Sequence, residues 1–372
     1  MLIANTAACS LFLILGVVIV VKKNKKLSDY FLLLTTIFFA LYPLTVSWIE
    51  YSLNVWSFAT YSIVSYYSFP FLFLYAMLLI SKKQRLNKKW FLFLIPHIFW
   101  LFFIIGDLFI RRDHPADYIE HLYYDRIPSL PYFIFYKFVQ LYVIGMMIWF
   151  LQKLKSYQAA IKNFHSNLEE IQLDWLKYFS WFYISVYAVS FISFFFYNLG
   201  FITNIDIPVT LISVASFITV FWVIYRGIKH YSIANFSEPE FRTENPKKYA
   251  KSSLNKASAK ELFNQISELF VHEKIFHNPD LKVQDIAEKL DVTNHNVSQA
   301  LNEIAKKSFY DFVNDHRLNY FKEQLADPEK RRFTILALGM ESGFNSKASI
   351  NRVFKQQLGI TPREYQQQVL AS

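Results

Sequence analysis

Seven apolar stretches, each about 20 residues long, occupy the first 230 residues and constrain the fold of this chain more than any other feature. They fall at about 2–21, 30–49, 58–80, 90–110, 131–151, 179–199 and 207–226. In a hydrocarbon layer every backbone N–H and C=O must find its partner within the segment, so such a series can span only as helices. The first stretch does not read as a cleavable signal peptide. No basic residue precedes it, and its basic cluster, Lys22-Lys23-Asn24-Lys25-Lys26, follows it.

The basic residues orient the series. Fifteen Lys and Arg follow the first, third, fifth and seventh stretches, among them Lys82, Lys83, Arg85, Lys153, Lys155 and Arg226. The opposite side carries only Arg111, Arg112 and Arg126, diluted by Asp113, Asp117, Glu120 and Asp125. The positive-inside bias therefore places the N-terminus outside and the C-terminus in the cytoplasm, and an odd number of crossings requires the same. A few ionisable groups lie at membrane depth: Glu50, His97, Asp107 and Lys137. Such groups are costly in lipid and are candidates for signal binding. The structural alternatives are that Lys137 snorkels outward, that Glu50 and Asp107 sit near the interface, and that His97 satisfies carbonyls freed by Pro96.

Between the fifth and sixth stretches, Leu154, Tyr157, Ile161, Phe164, Leu168, Ile171 and Trp175 recur in steps of three and four. Ser166 and Glu169 form a capping-box pattern there. The expectation is a cytoplasmic helical hairpin over 152–178, with one apolar face for the cytoplasmic domain or for a second subunit.

Several chemistries are excluded. One cysteine, Cys9, allows no intrachain disulfide and no zinc spacing. The eight glycines form no nucleotide-binding loop, which argues against a sensor kinase. His272 and His277 are five residues apart and fall on different helix faces, so no metal site is expected.

Residues 231–258 read as a linker, with Glu238-Pro239-Glu240 and Asn245-Pro246 as breakers. Ser258 and Glu261 then suggest the start of an amphipathic helix through Leu262, Ile266, Leu269 and Phe270. Val283, Ile286, Ala287 and Leu290 give a short support helix, Asp291-Val292 a turn, and Thr293 a cap. The helix from Asn294 to Ile304 turns Val297 and Leu301 inward and His295, Ser298, Gln299 and Asn302 outward. A long helix follows from about Phe309 to Leu325. The pattern then repeats. Ile335, Leu338 and Met340 form an apolar face, Gly343-Phe344-Asn345 a break, and Asn345 or Ser346 a cap. In the next helix Ile350, Val353, Phe354 and Leu358 face inward, and Lys347, Ser349, Asn351, Arg352 and Lys355 outward. Helix, tight turn and second helix, twice over, is the helix-turn-helix pattern.

Nine positions in the second repeat and its tail, Gly343, Phe344, Ser346, Phe354, Lys355, Gly359, Thr361, Pro362 and Tyr365, resemble the end of the AraC/XylS family of bacterial transcription regulators. The resemblance spans about residues 260–370. The region before it resembles membrane-anchored members, in which a multi-span domain precedes the DNA reader. Three positions depart from the family pattern: Lys282 stands at a usual Ser or Thr cap, Lys306 at a usual Gly, and Gly339 at a usual Ala.

The expectation from the apolar stretches and the resemblance together is an all-α protein with a seven-transmembrane-helix domain at 1–230, a linker at 231–258 and a cytoplasmic double helix-turn-helix domain at 259–372. The resemblance implies a non-enzymatic, sequence-specific regulator in the bacterial inner membrane that needs no cofactor. Its partners would be double-stranded DNA, the lipid bilayer, RNA polymerase, a small-molecule or envelope signal, and a second copy if it dimerises. In a competing reading, a seven-span receptor or transporter-like sensor uses the C-terminal domain to bind protein.

Charge assigns roles within that domain. Residues 259–329 carry 8 Lys/Arg against 13 Asp/Glu, and residues 330–372 carry 7 against 2. The second unit is therefore the expected phosphate anchor, through Arg331, Arg332 and Lys355 with Lys330. Lys347 and Arg352 are the expected base readers there, alongside Ser349 and Asn351. In the first unit the family's base-reading positions align with His295, Ser298 and Gln299, with Asn302 beside them.

Overall fold

The computed structural model describes residues 2–23, 25–52, 55–81, 87–110, 130–169, 171–201 and 254–371, with 218, 221–222 and 225–226. The chain divides into two compact units. One is 1–155 with 174–239, and the other is 156–173 with 240–372.

In the first unit the described helices are α1 (Leu2–Val21), α2 (Leu27–Tyr51), α3 (Val55–Leu79), α4 (Ile95–Ile110), α5 (Leu130–Ile161, entering the second unit at Ser156) and α6 (Asp174–Asn198). A 3₁₀ turn, Lys88–Leu94, leads into α4. Six of the seven apolar stretches are thus helical, and the seventh lies largely outside the described residues. Among the described residues, two helical runs are long and apolar enough to cross a membrane, Leu27–Trp48 and Asp174–Tyr197. The apolar runs Phe12–Val21, Phe69–Leu79 and Lys89–Phe103 are shorter. The start of α2 is fixed locally. Asp29 accepts from the Lys26 backbone N–H and pairs with Lys22, which places a carboxylate at the positive end of the helix. Aromatic rings join neighbouring helices: Phe12 with Phe39 at 5.9 Å, Phe69 with Tyr183 at 5.3 Å, and Trp100 with Phe135 at 5.3 Å.

The second unit is built from α7 (Lys256–Val271), α8 (Val283–Lys289), α9 (Asn294–Ala300, continued by a π turn over Leu301–Ala305), α10 (Phe309–Ala326), α11 (Ile335–Glu341), α12 (Lys347–Leu358) and α13 (Pro362–Ala371). Side chains close to their own helices set most of the starts. Thr293 Oγ1 accepts from Asn296 N at 3.1 Å, Thr334 Oγ1 from Ala337 N at 3.1 Å, and Ser346 Oγ from Ser349 N at 3.0 Å. One start moves. Asn255 caps α7 through Ser258 N at 2.8 Å, so the helix opens ahead of the Ser258–Glu261 pattern.

Two apolar cores lie along α10. One gathers Ile266, Phe270, Ile286, Val297 and Leu301 against Phe309, Phe312 and Val313. The other gathers Leu338, Phe344, Ile350, Val353 and Phe354 against Leu318, Phe321 and Leu325. The turns of the two helix-turn-helix units both use the left-handed region, with φ 53° at Asp291 and φ 93° at Gly343. Met340 is 48% exposed and does not join the face expected of it; Leu338 and Gly339 are the buried positions of α11. Gly339 has a packing reason. A Cβ there would lie 2.3 Å from Ile350 Cδ1, so the departure from alanine makes room for α12.

Lys306 ends the π turn at φ 55° and ψ 31°, a conformation that glycine adopts without a steric penalty. We expect Lys306→Gly to stabilise the second unit by about 1 kcal/mol, because the left-handed cost of a side chain is removed. Slower amide exchange in α10 would register the gain, and an unchanged or faster rate would contradict it.

Candidate nucleic-acid interface

The two helices expected to read DNA, α9 and α12, are each held by the unit's core on one face. Val297, Ala300 and Leu301 are buried beneath α9, and Ile350, Val353 and Phe354 beneath α12. On the other faces His295, Asn302, Lys347 and Lys355 are exposed, and Asn351 is half-buried. Arg331 and Arg332 lie exposed on a 3₁₀ turn, Pro328–Arg332, with Arg332 5.0 Å from the Phe333 ring. Lys330 is committed elsewhere, since its Nζ donates to Glu341 Oε1 at 2.8 Å.

Four of the expected readers are engaged within the chain. Ser298 is buried rather than outward, and its Oγ donates to the Asn163 carbonyl at 3.0 Å. Gln299 Nε2 donates to the Leu254 carbonyl at 3.1 Å and to Glu303 at 2.9 Å. Ser349 is also buried, with its Oγ on the Ser346 carbonyl at 2.8 Å, where it reinforces the helix start. Arg352 Nη1 donates to Gln172 Oε1 at 3.3 Å.

Asn163 and Gln172 belong to the segment between α5 and α6, which the sequence placed in a helical hairpin. Its form differs. α5 ends at Ile161, residues 162–173 run as turns and extended chain where described, and the next helix opens at Asp174 instead of at the Ser166–Glu169 pattern. Its periodic apolar residues are nonetheless used. Ile161 and Leu168 are buried in the second core, and Phe164 packs on the first. Around His165 the segment pairs with Lys282 as a short antiparallel bridge. Ser166 N donates to the Leu281 carbonyl at 3.2 Å, and Val283 N to the Phe164 carbonyl at 3.0 Å. This accounts for the missing cap at Lys282. A lysine cannot accept from the first N–H groups of α8, so the Phe164 carbonyl accepts from one and Asp285 from the Lys282 N–H at 2.7 Å. Burial and the nearby Lys282 push the His165 pKa down to about 4, so the ring is neutral at physiological pH.

Arg317 of α10 ties these parts together. It is 2% exposed. Its Nε donates to the Phe276 carbonyl at 2.8 Å, and its Nη2 to the Asn278 carbonyl at 2.7 Å and to Ser166 Oγ at 3.1 Å. His277, one of the two histidines discounted as metal ligands, places Nδ1 2.6 Å from the Glu341 carbonyl at the end of α11. A buried Arg in mid-helix is what the residue pattern failed to flag; a lone charge among Val313, Leu318 and Phe321 was the available sign.

The candidate signal-binding residues divide. The side chains of Glu50 and Asp107 lie outside those described. His97 is buried, with Nδ1 3.1 Å from the Phe93 carbonyl. Lys137 does not snorkel. It is buried, its Nζ donating to the Phe191 carbonyl of α6 at 3.1 Å and lying 4.8 Å from the Phe191 ring. Gln140 beside it donates to Ser190 at 2.9 Å. This arrangement gives α5 and α6 a polar contact inside the first unit. A carbonyl of the neighbouring helix satisfies the ammonium, so the snorkelling alternative for Lys137 does not hold.

Comparison with curated proteins and with solved structures gives no match. Residues 258–368 match a protein-family model described as a helix-turn-helix domain. The match covers less than a third of the chain and takes in both helix-turn-helix units and the α10 that joins them. On this ground residues 258–368 form a helix-turn-helix domain, which supports DNA binding and the regulation of transcription.

Proposed function

We propose that the chain is a membrane-embedded regulator of transcription, with residues 1–230 in the bacterial inner membrane and residues 259–372 reading double-stranded DNA in the cytoplasm. One observation carries the reading: a paired helix-turn-helix domain follows a helical unit that turns apolar side chains outward. In that unit Leu13, Ile14, Val17, Phe99 and Phe102 are each more than half exposed, a surface suited to lipid and costly in water. The distribution of Lys and Arg along the sequence supports a cytoplasmic DNA reader. A signal at the membrane or the cell exterior would act through the first unit, with His97 and Lys137 as candidate contacts and Glu50 and Asp107 as sequence candidates. RNA polymerase and a second copy of the chain fit the same role.

Helices α9 and α12 would enter successive major grooves, one helical turn or about 34 Å apart. Arg331, Arg332 and Lys355 would contact phosphates, and His295, Gln299, Asn302, Lys347, Asn351 and Arg352 would face base edges. Binding of the detergent-solubilised full chain to a random-sequence duplex pool tests this. The selected site should contain two elements about 10 base pairs apart, and Arg352→Ala should weaken its binding about 5- to 100-fold. Removing Arg331, Arg332 and Lys355 together should reduce the slope of log K against log salt by about 2.7. An unchanged slope would take the anchor role away from these three residues. A tag at Ser372 detected on the exterior of intact cells would overturn the orientation.

A further inference from the structure

We infer that the DNA-reading surface is also the binding surface for residues 162–173 of the same chain, and that this segment and DNA exclude one another. The inference rests on the DNA-binding reading and adds its regulation. The segment touches both reading helices, and on α12 it holds Arg352, which would face a base edge. Its Asn163 carbonyl accepts from Ser298 on α9. Its Gln172 accepts from Arg352 on α12. Its Glu169 carboxylate accepts from Ser346, the residue that caps α12.

The Glu169 contact imitates a phosphate. The free N–H groups and the dipole at the start of a helix favour an anion, and DNA phosphates are bound at such starts. Here a carboxylate of the chain lies beside the start of α12, where it accepts from the capping hydroxyl of Ser346. Gln172 offers Arg352 an amide oxygen, the kind of acceptor that guanine O6 presents in the major groove. The segment therefore supplies one acceptor in place of a phosphate and one in place of a base.

The docking is firm. The Lys162 carbonyl accepts from Tyr310 N at 2.8 Å, which satisfies a donor at the start of α10. Ser166 meets Arg317, Asn314 and Leu281, and Ile161 and Leu168 are buried in the second core. DNA must offset this docking free energy before it binds, so its apparent affinity falls by the fraction of molecules in which the segment is released. The segment is the connection between α5 and α6, so any change in those two helices bears on its release by chain continuity alone.

The test uses the full chain in detergent or lipid nanodiscs with Cys9 replaced by serine, and a mixed-sequence 30-base-pair duplex as probe. Glu169→Ala with Gln172→Ala removes two of the segment's contacts and leaves both reading helices intact. Duplex binding should tighten about tenfold. In a second variant, Glu169→Cys with Ser346→Cys, the two positions are joined by a cleavable bismaleimide. Joining should weaken duplex binding at least tenfold, and cleavage should restore it. Saturating duplex should also raise amide exchange at Ser166 and Val283 in the parent chain. Equal duplex binding by the joined and cleaved forms overturns mutual exclusion and leaves the DNA-binding reading standing. A chain that binds no duplex in any form overturns both.

Discussion

Gly343→Ala is expected to unfold the second helix-turn-helix unit, at a cost of about 4 kcal/mol. Two terms act together. At φ 93° an alanine sits in a region that L side chains rarely adopt, which costs on the order of 1–2 kcal/mol. The added Cβ would also lie 2.2 Å from the Phe276 carbonyl oxygen and 3.0 Å from both Arg317 Nε and His277 Cα. The first of these is backbone already held by Arg317, so it cannot turn aside as a flexible side chain would. Gly359 provides the control. It ends α12 at φ 74° with nothing within 4 Å of its would-be Cβ, so Gly359→Ala should carry the conformational cost alone, about 1 kcal/mol. Amide exchange of α11 and α12 in the full chain separates the two. Equal losses at Gly343 and Gly359 would mean that the close approach to Phe276 contributes nothing.

The contrast between these glycines also shows what the sequence could disclose. Gly343 was legible as a turn residue because the need for positive φ is local. Thr293 and Ser346 were legible as caps for the same reason: each bonds an N–H three residues on. The inward faces of α9 and α12 followed from periodicity for Val297, Leu301, Ile350, Val353 and Phe354, which are all buried, whereas Leu358, expected with them, is exposed at the end of α12. The surroundings of the outward faces were not legible. Ser298 is buried by Asn163, which is 135 residues earlier in the chain, and Arg352 meets Gln172, 180 residues earlier. Helical periodicity says which side of a helix leaves its own core, and nothing about what returns to cover it. The apolar steps from Tyr157 to Ile171 signalled that the loop packs on something. The turns that carry Phe164, Leu168 and Ile171 could not be distinguished from a hairpin, because a spacing of three and four residues is satisfied by a few side chains even where the chain is not helical. Lys137 misled in a similar way: snorkelling is the solution for an isolated helix, whereas the Phe191 carbonyl is available only once α6 lies beside α5.

Arg317→Met is expected to cost about 3 kcal/mol, and to do so in two places at once. Methionine can fill much of the volume but donates nothing, so the Phe276 carbonyl loses its partner at about 1–3 kcal/mol, while the Asn278 carbonyl and Ser166 Oγ each lose one bond and keep their bonds to Leu281. Part of that loss is offset, since burying the guanidinium is itself unfavourable. Burial pulls its pKa down to about 10, against weaker opposing effects of Tyr310 and Asp280. Lysine should not rescue, because its donors radiate from a single nitrogen and cannot span the Phe276 and Asn278 carbonyls and Ser166 Oγ as the separate nitrogens of the planar fork do. The distribution of the damage is the sharper expectation. A residue serving only the 276–278 turn would leave the 162–173 segment docked. Arg317 bonds both, so protection at Ser166 and at the 276–278 turn should fall together, by about 100-fold. With its lock loosened on the same side, Arg317→Met should bind the mixed-sequence duplex more tightly than Gly343→Ala, in which α12 no longer forms. If protection is lost around 276–278 alone, Arg317 is a local brace, and the segment is held on the reader by its apolar residues and backbone pairing.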